Sequence, residues 1–83
     1  MSQKVTVYSR DGCHLCEVAL GQLRALQGEY GFELVEIDIE GDAAIHAAYL
    51  ERIPVIALDG EELYDFEIDQ ADLKSRLLRA SAR

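Results

Sequence analysis

The sequence predicts a small α/β domain with the element order βαβαββα, and three observations carry that reading. A β-branched run, VTVYS at 5–9, and an alternating run, ELVEIDIE at 33–40, bracket a stretch with helical periodicity. A strand, a helix and a strand of this length form a right-handed crossover, which makes the two strands parallel. Further on, Asp59-Gly60 stands between two strand-like runs and signals a tight hairpin, hence an antiparallel pair. At 83 residues the chain forms one domain, 1–83, without repeats, linker or low-complexity segment.

The first strand stops at Arg10-Asp11-Gly12, and the first helix begins at the cysteines. Its buried stripe is Cys16, Ala19, Leu20, Leu23 and Leu26. Gly28 and Gly31 are available stop signals, with Tyr30 and Phe32 packing where the chain turns. Gly21, in mid-helix, lowers propensity by up to about 1 kcal/mol and so marks a position where close contact is expected. In the second strand Val35, Ile37 and Ile39 alternate with Glu36, Asp38 and Glu40, giving one buried face. Gly41-Asp42 opens a second helix capped by Asp42, with a thin stripe of Ile45, Ala48 and Tyr49 and a rim histidine, His46. The third strand is read over 52–58, with Pro54, the one proline, at its start where a missing N–H is tolerated. Residues 61–66 return as an acidic edge strand. Asp69 then caps a last helix, with Asp72 in a capping-box-like position and Leu73, Leu77 and Ala80 facing inward.

Charge narrows the function classes. Sixteen acids against eight bases give −8, and four of the bases (Lys74, Arg76, Arg79, Arg83) fall in the last ten residues. The body before Lys74 therefore carries 16 acids and four bases, or −12, which argues against nucleic acid and anionic membrane surfaces as partners. The late cations suit the C-terminal end of a helix dipole. No apolar run approaches the roughly twenty residues of a membrane span. Strand residues begin almost at Met1, so no signal peptide is expected and the address is cytoplasmic, where thiols rest reduced.

The chemistry is concentrated in Cys13-His14-Leu15-Cys16. Thiols at i and i+3 share one face of a helix's first turn and can close a disulfide. A helix N-terminus, carrying roughly half a positive charge and unpaired N–H groups, stabilises a thiolate. Cys13, nearer the exposed start, is the expected nucleophile and Cys16 the resolving thiol; Arg10 adds positive charge, while Asp11 and Glu17 oppose it. Zinc normally takes four ligands, and His14 and His46 are the sole histidines, so no metal is expected. A static disulfide and two inert core cysteines remain alternative readings of the pair.

The Cys-x-x-Cys at a first helix start, the βαβ unit, the Ile53-Pro54-Val55 strand opening and the Asp59-Gly60 hairpin before a last helix resemble the glutaredoxin family of the thioredoxin fold, over essentially the whole chain. The resemblance implies a four-stranded mixed sheet with two helices on one face and one on the other, and a cis proline lying against the cysteines. It places Ile53 and Pro54 in one wall of a substrate site, with Arg10 at the position of a basic residue that contacts glutathione. His14 and Leu15 replace the usual Pro-Tyr between the cysteines, and Asp65-Phe66-Glu67-Ile68-Asp69 replaces a Gly-Gly turn that cradles the tripeptide's carboxylate. Acids there repel a carboxylate by about 1 kcal/mol each at partly solvated distances, although Asp69 still presents a helix N-terminus. No tightly bound cofactor is therefore expected, and glutathione is retained as a candidate reductant only. The implied activity is thiol–disulfide exchange by a monomer on a protein or low-molecular-weight disulfide. A glutaredoxin-type iron–sulfur or metal carrier, since His14 removes the motif's proline, and a redox-silent interaction module are the alternatives.

Overall fold

The computed structural model describes the backbone of residues 3–81 and the side chains of residues 3–79. Its elements are β1 (Lys4–Ser9), α1 (His14–Tyr30), β2 (Glu33–Asp38), a short 3-10 turn (Ile39–Gly41), α2 (Ala43–Tyr49), β3 (Val55–Leu58), β4 (Glu61–Asp65) and α3 (Gln70–Ser81). The expected order βαβαββα is the observed one. The four strands form one mixed sheet in the order β2-β1-β3-β4, with β1 parallel to β2 and antiparallel to β3.

Alternation sends Val5 and Val7 of β1, with Ile56 of β3, to one face. There they meet Leu20, Leu23 and Leu26 of α1, Phe32, and Leu73 and Leu77 of α3, all buried in one cluster. Tyr8 points the other way, into a smaller cluster of Cys16, Ile39 and Ile53 that Ile45 and Tyr49 of α2 cover. Two helices thus lie on one face and one on the other. The α1 stripe is buried at all five anticipated positions. That helix ends at Gly31, whose φ of 72° is the left-handed geometry glycine adopts freely, and whose N–H bonds the Gln27 carbonyl at 2.8 Å. The Asp59-Gly60 hairpin is present, both residues at positive φ (50° and 90°) as a type I′ turn demands.

Several boundaries and packing details move. β2 ends at Asp38 and Ile39 is buried from a 3-10 turn, because the β1 partner strand ends at Ser9, opposite Asp38. β3 starts at Val55, three residues later than anticipated, and Pro54 precedes it in a cis peptide with Ile53. Asp42 caps α2 as expected, accepting from the N–H groups of Ala44 and Ile45, but Ala48 is exposed and leaves the stripe thinner still. Gly21 is exposed with open space where a Cβ would stand, so no close contact explains it. Asp69 caps α3 through the Asp72 N–H at 3.0 Å, whereas the Asp72 carboxylate turns to Tyr64 and Arg76 instead of completing a capping box. The side chain of Ala80 and the whole of Arg83 lie outside the described residues. No helix among those described is long and apolar enough to cross a membrane.

Candidate active site

The sheet's central strand delivers the chain to the site. β1 closes on buried Ser9, whose hydroxyl donates to Glu36 of β2 at 2.7 Å, and a two-residue turn ending in Gly12 (φ 79°) swings the backbone into α1. Cys13 is the N-cap of α1: its backbone is extended and its Sγ accepts from the Cys16 N–H at 3.2 Å. Sulfur therefore takes the role a serine or aspartate oxygen usually has at a helix start, which couples the thiol directly to the helix terminus. Cys13 and Cys16 are joined as a disulfide, their Cα atoms 5.2 Å apart, within the ordinary span of such a bond. The pair is unequal: Cys13 is partly exposed, while Cys16 is 1 % exposed behind it.

Ile39 and Ile53 pack with Cys16 beneath the pair, and Tyr8, Ile45 and Tyr49 close that small cluster. Tyr8 and Tyr49 stack with centroids 4.2 Å apart. Tyr49 donates to Glu62 at 2.6 Å, and Arg52 lies 5.3 Å from the Tyr49 ring while pairing with Glu62 (2.7 Å) and Asp65 (3.2 Å). The end of α2 is thereby clamped to β4. The hydrogen bond to Glu62, with burial second, pushes Tyr49 up to about 12; the same bond, with Arg52 second, holds the Glu62 carboxyl below its usual range.

Of the residues singled out from the sequence, Cys13, Cys16 and Ile53 come together, and Pro54 is fully buried beside Ile53. The Pro54 carbonyl accepts from the Phe66 N–H at 2.8 Å, which ties this wall to the β4–α3 loop. Arg10 borders a concavity that reaches Cys16 and also holds Glu36 and Arg24, but its guanidinium pairs with Glu40 at 2.9 Å. The neighbouring carboxylate thus offsets part of its charge, at a pair that is largely solvent-exposed. His14 is exposed, and Asp69 is exposed at the start of α3, engaged in capping. Among the described residues, no group of three or more His, Cys, Asp or Glu is placed to hold a metal ion.

Sequence reasoning passed over a groove of about 250 Å³ on the other side of the motif, lined by Leu15, Val18, Gln22, Phe66, Glu67 and Ile68 among others. The available signal was Phe66, a lone aromatic in an otherwise acidic turn. It missed the Glu40 partner of Arg10 as well, thirty positions away in the chain and without local signature.

Comparison with known proteins agrees with this geometry. Residues 4–78 match the model of a family described as a glutaredoxin-like domain (DUF836). The chain is 31 % identical to the uncharacterized protein Rv0508 of Mycobacterium tuberculosis, over 94 % of this chain and 86 % of that one. Among solved structures it resembles protein Ne2328 of Nitrosomonas europaea (35 % identity, TM-score 0.80, 92 % of each chain). It also resembles protein XcR50 of X. campestris (38 % identity, TM-score 0.63, 88 % of this chain and 93 % of that one). Thioredoxin 1 of Thermosipho africanus, 19 % identical with a TM-score of 0.66 over 96 % of this chain and 99 % of its own, shares the fold. With its Cys-x-x-Cys at the start of α1 and a mixed sheet of thioredoxin type, the chain belongs to the glutaredoxin-like family that the matching model describes.

Proposed function

We propose that this protein is a thiol–disulfide oxidoreductase working through Cys13 and Cys16. The observation that carries the reading is the inequality of the pair, one sulfur accessible at a helix N-cap and its partner buried at bonding distance behind it. In the reducing direction the Cys13 thiolate attacks one sulfur of a substrate disulfide. A mixed disulfide forms, and the displaced substrate thiolate takes up a proton. Cys16, deprotonated, then attacks the Cys13 sulfur and releases the second substrate thiol. Two electrons and two protons pass from the dithiol to the substrate, and the Cys13–Cys16 disulfide remains for an external thiol reductant, glutathione or a dithiol protein, to reduce.

Ile53, with buried Pro54 behind it, backs one wall of the substrate site, Arg10 and His14 border the mouth, and Asp69 presents the start of α3. A cytoplasmic site of action fits a dithiol that cycles from a reduced resting state.

The test is alkylation and trapping. Reduced protein should react with iodoacetamide at Cys13 several-fold faster near neutral pH than free cysteine does, and Cys16→Ser should accumulate a mixed disulfide at Cys13. Cys13→Ser should abolish reduction of 2-hydroxyethyl disulfide. A Cys13 that alkylates no faster than free cysteine, with no trapped adduct, overturns the proposal.

A further inference from the structure

Five large apolar side chains are exposed among the described residues, and three of them (Leu15 at 44 %, Val18 at 43 %, Phe66 at 48 %) line one groove, with Leu15 standing between the two cysteines in sequence. Phe66 is the least expected of them. Its backbone sits at φ 68°, a left-handed geometry that bulky residues rarely adopt, and its N–H is fixed to the Pro54 carbonyl. Stability alone would favour glycine or asparagine at such a position, with no exposed ring; strain held beside a reactive site points to use. The groove's charge has one sign. Glu67 lines it, Glu17 and Asp69 are exposed beside its two walls in sequence, and no lining residue is cationic.

We infer that this groove is a specificity site for protein disulfides whose cysteine is followed by an apolar residue and then a cationic one, and that it discriminates against glutathione. This deepens the dithiol reading and rests on it. Leu15 and Val18 on α1 and Phe66 and Ile68 on the loop offer an apolar slot to the neighbouring side chain, and Glu67 complements a positive charge next to it. Glutathione, with two carboxylates and glycine after its cysteine, brings neither.

The test compares disulfide-linked homodimers of acetyl-Cys-Leu-Lys-amide, acetyl-Cys-Leu-Glu-amide and acetyl-Cys-Ser-Lys-amide with glutathione disulfide and 2-hydroxyethyl disulfide. Each rate with the reduced protein is divided by the rate of the same disulfide with dithiothreitol, which removes intrinsic reactivity. The Leu-Lys substrate should react about tenfold faster than the Ser-Lys peptide or glutathione disulfide, the range a small apolar slot provides, and about two- to fivefold faster than the Leu-Glu peptide, the range of an exposed charge. The preference for Lys over Glu should shrink at high salt, while that for Leu over Ser persists. Phe66→Asn, which suits the left-handed backbone, should bring Leu-Lys down to the Ser-Lys rate and leave 2-hydroxyethyl disulfide within about twofold of wild type. Equal normalised rates across the peptides, or a Phe66→Asn variant slowed on every substrate alike, would sink the inference. A redox-dead variant, Cys13→Ser with Cys16→Ser, titrated with acetyl-Ser-Leu-Lys-amide separates the two claims by amide shifts at Leu15, Val18 and Phe66. Shifts there without any disulfide reduction by wild type leave the groove standing and remove the redox reading. Reduction of 2-hydroxyethyl disulfide with no peptide preference does the reverse.

Discussion

Where α1 and α3 cover the sheet, Leu23, Leu26, Ile56, Leu73 and Leu77 sit in a continuous hydrocarbon cluster; where α2 covers it, Cys16, Ile39 and Ile53 are the buried side chains. At its edge the second face adds a tyrosine stack and an Arg52–Glu62–Asp65 ion network that is partly solvated. Hydrocarbon burial contributes about 25 cal/mol per Å², whereas exposed ion pairs contribute from nothing to about 1 kcal/mol. Stability is therefore concentrated on the face away from α2. The other face holds the disulfide against a shallow floor, which keeps Cys16 covered and leaves Cys13 open.

Trimming each floor should separate these roles. Leu23→Ala, at a fully buried site of the larger cluster, should cost about 3–5 kcal/mol by urea denaturation, with Cys13 alkylation in the folded protein unchanged within about twofold. Ile39→Ala, also fully buried, should cost less, about 2–3 kcal/mol, because the thin layer above it can collapse, yet it should expose Cys16 to alkylation several-fold faster. If Leu23→Ala rather than Ile39→Ala raised Cys16 reactivity, the division of labour between the faces would be wrong.

A smaller change tests the well-packed side from outside. Gly21 is helical and exposed, with open space at its Cβ position. Gly21→Ala should raise stability by about 0.5–1 kcal/mol, through helix propensity and a less free unfolded chain, without altering disulfide reduction. Loss of stability on this substitution would mean that a partner or a second copy approaches α1 there.

The larger cluster was legible in the sequence because both of its helices announce themselves by period, Leu20, Leu23 and Leu26 in one and Leu73 and Leu77 in the other. The dithiol was legible for the same local reason, two cysteines a helical turn apart after a strand. The thinner face was not. Ile39 continues the alternation of β2, and nothing in residues 33–40 reveals that the neighbouring strand has already ended at Ser9. Arg10 reads as a free charge beside the thiols until the chain returns and sets Glu40 against it. Phe66 reads as the end of an edge strand; its left-handed backbone and its place in one groove with Leu15 and Val18 go with the Pro54–Phe66 hydrogen bond, a contact between segments that no local pattern shows. Local pattern determined the hydrocarbon face, and long-range polar contacts shaped the reactive one.

The polar edge of the reactive face predicts the smallest effect, with a definite sign. Glu62 titrates lower in the folded chain than its ordinary 4.5, first because Tyr49 donates to it and then because Arg52 pairs with it. A carboxyl depressed by folding adds stability when it is ionised in both states, above its unfolded pKa, and loses that contribution as the pH falls through its folded one. Wild-type protein should therefore lose melting temperature as the pH falls below about 4.5 more steeply than Glu62→Gln, which keeps an acceptor for Tyr49 but does not titrate. Because the site is two-fifths exposed, the difference near neutral pH should be only a few tenths of a kcal/mol and should fade with salt. The alkaline limb runs the other way. Tyr49 is raised from 10.0 to about 12, so its contribution is complete below its unfolded value and disappears across that interval, a loss that Tyr49→Phe should lack. Matching pH profiles for wild type and both variants would show that the clamp between α2 and β4 adds nothing, and that the shallow floor alone holds α2 over the disulfide.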